Sequence, residues 1–261
     1  MLYATRFRAP DAFVFLESRG RTALLLSDLE FDRGRREARV DEVASYSELE
    51  KELQRGKKQK PGFAKVVGEF LKRRSVRHVV TPRDFPLGLA QSLQSERIRV
   101  QAVEGSFWPK RQLKTPQEVK ALEQALRIAE AGMARGHEVL RAAKARKDGT
   151  LRWKGRILSA EVLRMEMELA VVRAGGEARG DTIVACGELA CDPHERGKGA
   201  LSANQLIILD IFPRDSRSGY FGDLTRTVVR GRANDAQRHM WETCLVGQQR
   251  AFEALRPGLY G

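Results

Sequence analysis

The stretch Leu206–Gly231 reads LIILDIFPRDSRSGYFGDLTRTVVRG, and no other part of the chain restricts its folding so tightly. An apolar run, Leu206–Leu209, ends in Asp210, and a polar cluster follows from Pro213 to Gly219. A second β-rich run, Tyr220–Val229, carries Asp223 within GDLTRT. Two such runs around Pro, Asp, Ser and Gly predict a β-hairpin. If the turn centres on Ser216 and Arg217, Asp210 lies directly opposite Asp223. Side chains so opposed have Cβ atoms roughly 4.5–5.5 Å apart, where like charges repel. Two carboxylates at that separation call for a cation, and a divalent metal is the natural one. The competing reading is an ordinary surface hairpin on which Arg226 or Arg230 neutralises the aspartates. Against it, Arg226 has the opposite parity to Asp223 along the strand and so points to the other face, whereas Asp223, Thr225 and Thr227 share one.

Composition narrows the classes. A chain of 261 residues with 42% hydrophobic content accommodates one large or two modest domains with a real core. No apolar run reaches the eighteen or so residues of a membrane span, and the N-terminus MLYATRFRAPDAF lacks an apolar signal core, so a cytoplasmic protein is expected. Three cysteines, Cys186, Cys191 and Cys244, stand in no metal-binding spacing, and the first two read as buried small residues. The net charge of +13 is scattered over several Arg/Lys clusters, without interleaved aromatics or a nucleic-acid-binding motif, so no nucleic-acid partner and no membrane are expected.

The first hundred or so residues read as a small α/β domain. Phe13–Leu16 and Thr22–Leu26 form a hairpin around Ser18-Arg19-Gly20. Residues 47–55 and 63–74 are helical, and strand (76–80), helix (87–93) and strand (98–103) imply locally parallel pairing. Trp108-Pro109-Lys110 marks a junction, placing one domain over 1–110 and a second over 111–261. In the second, Thr115-Pro116-Gln117-Glu118 spells a helix N-cap with a capping box. The helix runs to about Ala143 with Val119, Leu122, Leu126, Met133 and Leu140 as its apolar stripe, and His137 faces solvent. Residues 144–155 form a basic loop. Ser159 caps a second helix ending at Gly175-Gly176, and a strand over 181–187 leads to a loop holding Asp192-Pro193-His194. Asn234 or Asp235 caps a last helix whose apolar side is Trp241, Leu245, Phe252 and Leu255, and Pro257-Gly258 in PGLYG ends it.

Y-F-G-D-L-T-R-T-V-V-R-G after an apolar strand ending in Asp resembles the signature of the creatinase/methionine aminopeptidase, or "pita-bread", superfamily, closest to the Xaa-Pro aminopeptidases and prolidases. The entry Arg111, Lys114, Thr115, Pro116, Glu118 resembles the start of their catalytic domain, and Asp11–Glu30 resembles a creatinase-type N-terminal domain. The fold class so implied is α/β (α+β): a creatinase-like N-terminal domain followed by the first half of a pita-bread domain. The resemblance implies that Asp210 and Asp223 ligate a pair of divalent ions, Mn, Co or Zn. It also implies that His194, on a loop ahead of the first aspartate, touches a peptide substrate; without the resemblance, a surface histidine is the plainer reading. It leaves room for a homodimer. Two departures stand out. Phe212 occupies the place of the usual glycine, and the turn is longer than usual, an insertion that keeps both aspartates on one face only if its length is even.

A dinuclear hydrolytic site needs more than two carboxylates. In the family a histidine and two glutamates beyond the hairpin supply the rest, and none of these is found before Gly261; Arg256 stands where one glutamate would be. The expectation is therefore the N-terminal part of a metal-dependent Xaa-Pro exopeptidase, inactive as this chain alone and weak in metal binding. The alternative is a non-catalytic pita-bread module that binds peptide or protein.

Overall fold

The computed structural model describes residues 1–178 and 180–259; the last two residues of PGLYG lie outside them. Two compact units, Met1–Leu113 and Lys114–Gly261, make up the chain.

In the first unit a short helix α1 (Leu2–Thr5) precedes the hairpin β1 (Val14–Ser18) and β2 (Arg21–Leu26). Arg19 and Gly20 both have positive φ, 53° and 75°, the signature of a two-residue type I′ turn. Helix α2 (Asp28–Glu37) then returns the chain to β3 (Glu42–Ser45), which pairs parallel to β2. Neither α2 nor β3 is legible in the sequence: α2 is strongly charged and β3 only four residues long. Helices α3 (Tyr46–Gln54) and α4 (Phe63–Lys72) lead to β4 (His78–Thr81), α5 (Leu87–Ser95) and β5 (Arg99–Ala102), with β4 and β5 parallel as the alternation implied. Val66, Val67, Phe70 and Leu71 of α4 are buried beneath the strands with Leu49, Leu93 and Ile98. A second cluster on Phe7, Leu24 and Leu26 fills the other face.

In the second unit, helix α6 (Pro116–Ala142) begins with the expected capping box. The Glu118 N–H donates to Thr115 Oγ1 at 3.3 Å, and the Thr115 N–H donates to Glu118 Oε2 at 2.9 Å. The expected apolar stripe is corrected. Val119 and Leu126 are 43% and 41% exposed, while the buried face is Ala125, Ile128, Ala129, Gly132, Met133, Gly136, Val139 and Leu140. Small residues win this face because the helix lies very close to its neighbours. A Cβ on Gly132 would sit 2.5 Å from Ile211 Cδ1, and one on Gly136 3.0 Å from Met167 Sδ. His137 is corrected too: it is half-buried, and its Nε2 is enclosed without a hydrogen-bond partner among the described residues.

Three short strands, β6 (Lys144–Ala145), β7 (Leu151–Trp153) and β8 (Arg156–Ile157), replace the expected basic loop. Thr150 and Gly155 bound their turns, and Leu151 is wholly buried, so one apolar residue anchors an otherwise charged meander. Helix α7 (Ala160–Arg173), capped by Ser159, packs antiparallel-fashion alongside α6 through Leu163, Met167 and Val171. Next come β9 (Gly176–Glu177), β10 (Ile183–Cys186), β11 (Leu206–Ile211), β12 (Arg214–Asp215) and β13 (Leu224–Val229). Strands β10, β11 and β13 form one antiparallel sheet in that order. Its Ile207, Leu209 and Ile211 side chains are buried in the core with α6 and α7. Cys186 is half-buried, but Cys191 is exposed rather than buried. Helix α8 (Asp235–Ala254) carries the capping box of Asn234 and Gln237 and has no buried residue among those described.

Glu118 links the two ends of this unit's core. It is 4% exposed, closes the N-terminus of α6 and accepts a 2.7 Å hydrogen bond from the Tyr220 hydroxyl of the hairpin. Replacing it with Ala removes a cap and leaves a Tyr220 contact broken, so Glu118→Ala is expected to cost about 2–4 kcal/mol, against about 1 for Thr115→Ala. Urea unfolding curves check this; equal midpoint shifts for the two variants would contradict it.

Candidate active site

The hairpin forms where expected, but its register is displaced by two. Asp210 pairs with Thr225, not Asp223, and Ile211 pairs with Leu224. Beyond the ladder the same register continues, with Arg214 bridged to Phe221 and the Gly222 N–H donating to Pro213 O at 3.0 Å. The turn therefore centres on Arg217 and Ser218. Asp215 causes the shift. Its carboxylate, only 5% exposed, accepts from the Arg217 N–H at 3.3 Å, the Ser218 N–H at 3.0 Å and the Ser218 hydroxyl at 2.5 Å. Its backbone N–H donates to Tyr220 O at 2.8 Å, and the Gly219 N–H closes the loop on Asp215 O at 2.9 Å. A side chain that gathers donors from both following residues selects the turn, a device that residue spacing alone does not announce.

The displacement is even, so neither aspartate changes face. Asp210 and Asp223 become diagonal neighbours instead of a directly opposed pair, a relation in which strand positions stand roughly 7–8 Å apart. Opposite Asp210 sits Thr225, whose hydroxyl donates to Asp210 Oδ1 at 2.5 Å. The ladder bonds of Gly222 and Asp215 make Asp210–Thr225 a non-hydrogen-bonded pair, the type in which opposed side chains come closest. Asp210 is half-buried and Asp223 exposed.

Arg226 does not enter this space. It pairs with Leu209, whose side chain is in the core, so it belongs to the face turned toward α6. There burial, reinforced by the Arg141 and Arg226 charges, pushes the His137 imidazole below its ordinary range. Arg230 is likewise engaged elsewhere, its Nε donating to Ala143 O at 2.9 Å. The ordinary salt-bridged surface hairpin is thereby set aside.

His194 follows a 3-10 turn over Gly187–Cys191 and is exposed, its backbone N–H donating to Asp192 Oδ1 at 3.1 Å. Among the described residues, no three His, Cys, Asp or Glu side chains converge into a group that could hold a metal ion. Two carboxylates on one face are suitable donors for a hard divalent cation, but too few for a dinuclear centre. His194 is not gathered with them.

Gly222, next to Asp223, explains a feature of the GD pair. A Cβ there would lie 2.2 Å from the carbonyl oxygen of Ala125 on α6. The backbone of the hairpin thus rests directly on the backbone of the helix, and the following residue, Asp223, is turned to the open face. Glu118 and Tyr220 pin the same junction, and sequence reasoning missed that contact because nothing local joins residues a hundred positions apart.

Two outcomes are expected. Gly222→Ala forces backbone against backbone and is expected to destabilise the second unit by about 1–3 kcal/mol or more, read as a loss of thermal midpoint. For Asp215, burial opposes the charged form, yet the hydrogen bonds from Ser218 and Arg217 and the Arg217 charge together hold the carboxyl below its usual range. A depressed folded-state value contributes stability that is present above the unfolded-state value near 3.9 and is lost as pH falls through the folded-state value. The stability of the parent should therefore decline on acidification below about pH 4 more steeply than that of Asp215→Asn. Parallel pH profiles would contradict the assignment.

Comparison with known proteins places these features. The model of metallopeptidase family M24 matches residues 120–261, more than half of the chain. An Xaa-Pro dipeptidase of Pyrococcus furiosus is 28% identical over 149 residues, covering 56% of this chain and 38% of that protein. One from Lactobacillus delbrueckii subsp. lactis is 31% identical over 101 residues, covering 38% of this chain and 27% of its own. The solved prolidase from Pyrococcus furiosus superposes with a TM-score of 0.76 at 19% identity, over 99% of this chain and 67% of that one, a likeness of fold. The matched segments thus span well under half of these curated relatives. On the family match over residues 120–261, this chain belongs to metallopeptidase family M24 and has the fold of the prolidases.

Proposed function

We propose that the protein acts on peptides as an Xaa-Pro dipeptidase or aminopeptidase of the pita-bread type, with the residues up to about 110 as a creatinase-like N-terminal domain and the rest as the first half of the catalytic domain. The observation that carries this is the shared face of Asp210 and Asp223 on a hairpin whose glycine-aspartate pair is seated on α6. Both aspartates would contribute oxygen ligands to divalent ions, Mn, Co or Zn, which supply an activated water for peptide hydrolysis when bound. Thr225 would orient the Asp210 carboxylate through its 2.5 Å hydrogen bond. His194, on an exposed loop free to meet a ligand, would contact the peptide.

The donor set on these residues is incomplete, so the chain by itself is expected to bind metal weakly and to leave Xaa-Pro peptides uncleaved. A cytoplasmic setting fits this reading; no helix among the described residues is long and apolar enough to cross a membrane. The binding-module alternative has no observation in its favour beyond that incompleteness.

The test is metal binding and peptide turnover. Calorimetry with Mn2+ on this chain should give at most weak binding that Asp223→Asn abolishes. In a longer form carrying further ligands, the same substitution should remove Xaa-Pro hydrolysis, a loss of at least ~100-fold. Full activity with Asp223→Asn, or brisk Gly-Pro cleavage by the 261-residue chain, would refute the assignment.

A further inference from the structure

The loop that carries His194 is held to the body of the second unit by a side chain to which the metal and peptide chemistry gives no part. At the tip of the loop the bonds are local. The His194 N–H donates to Asp192 Oδ1 at 3.1 Å, and the Glu195 N–H donates to Asp192 O at 3.2 Å. The Gly197 N–H turns back in the same way to Glu195 Oε1 at 3.1 Å. Such bonds shape the tip without fixing where it stands, because both partners move with it. Two glycines with positive φ, Gly197 at 77° and Gly199 at 73°, leave the descending leg little stiffness of its own.

Helix α7 supplies the stiffness from outside. Arg164 is half-buried, and its guanidinium reaches three backbone carbonyls. Its Nη2 donates to Gly197 O at 2.8 Å and also to Arg196 O, and its Nε donates to Thr182 O at 2.7 Å. The Val184 N–H adds a 3.0 Å bond to the same Arg196 carbonyl. Gly197 lies flat on β10, where a Cβ would sit 1.8 Å from Val184 O. One turn earlier on α7, Glu161 Oε1 accepts from the Gly199 N–H at 3.0 Å. Going down this leg from His194, the first tie to the rest of the unit among the described residues is therefore the Arg196 carbonyl, two residues on.

The other end of the Arg164 fork lies beside the aspartates. Thr182, whose carbonyl it binds, directly precedes Ile183, and Ile183 is the cross-strand partner of Asp210. One planar group thus spans the strand next to Asp210 and the leg next to His194. An arginine suits this task because its donors sit in a fixed fork, whereas a lysine concentrates its charge at one point.

We propose that Arg164 is a positioning residue: by clasping the descending leg of the loop to β10, it fixes where His194 stands relative to Asp210. The proposal rests on the reading of His194 as a peptide contact, and Arg164 acts only through the loop.

Hydrogen exchange and peptide titration of the 261-residue chain test it. In Arg164→Gln the amides of Val184, Gly197 and Gly199 should exchange about tenfold faster or more, while those of β13 keep their parent rates. Arg164→Lys keeps the charge without the fork and should behave like Arg164→Gln, and it stands in if the glutamine variant does not fold. Gly-Pro affinity, followed by amide chemical shifts, should fall about tenfold in Arg164→Gln and in His194→Ala, and the double variant should lose no more than either alone. An arginine with a merely structural role would give additive losses. Parent-like exchange at Val184 and Gly197 in either Arg164 variant, undiminished Gly-Pro affinity in Arg164→Gln, or additive losses would overturn the proposal and leave the peptidase reading standing. Parent-like Gly-Pro affinity in His194→Ala would overturn the reading of His194, and the proposal with it.

Discussion

Backbone-to-backbone contact between α6 and the aspartate hairpin is the constraint on which the second unit depends. Gly222 has no room for a Cβ against the Ala125 carbonyl, and Gly132 and Gly136 let the same helix settle onto Ile211, Met167 and Leu209. Without that closeness the sheet would ride higher on the helix and lose the packing of Leu209 and Ile211 against it. Close packing of this kind tolerates little change of volume, since interiors are filled to the density of organic crystals. The Tyr220–Glu118 bond then ties the approach to the start of α6, so the helix cap and the hairpin are held by one buried carboxylate.

On that platform, the chemistry of the face is a matter of parity. Asp210 and Asp223 lie on the side of the sheet turned away from α6 because Ile207, Leu209 and Ile211 take the side turned toward it. Arg226 lies on the helix side for the same reason. The aspartates thus share a face without an arginine between them, which is the electrostatic condition for recruiting a cation. The remaining ligands of such a centre are not gathered among the described residues, and membership of family M24 frames the question of what completes the set.

Much of this was legible beforehand, and the failures are instructive. The caps at Thr115, Ser159 and Asn234 involve side chains bonding within three residues, so they are written locally. The buried face of α6 was misread because hydrophobic periodicity rewards large residues, whereas the tight interface selects Ala and Gly. The register was misread by two because the Asp215 carboxylate draws in Ser218 and Arg217 and moves the turn along the chain.

The sequence alone determined the hairpin, the separation of acidic and arginine side chains onto opposite faces, the capped helices and the family. Those follow from the two-residue repeat of strands and from bonds between near neighbours, which any local window contains. Only the tertiary structure decided which residue faces Asp210 and why a glycine must precede Asp223. Each of these depends on how closely two distant segments approach, and that distance is set by packing across the core, not by any stretch read in isolation.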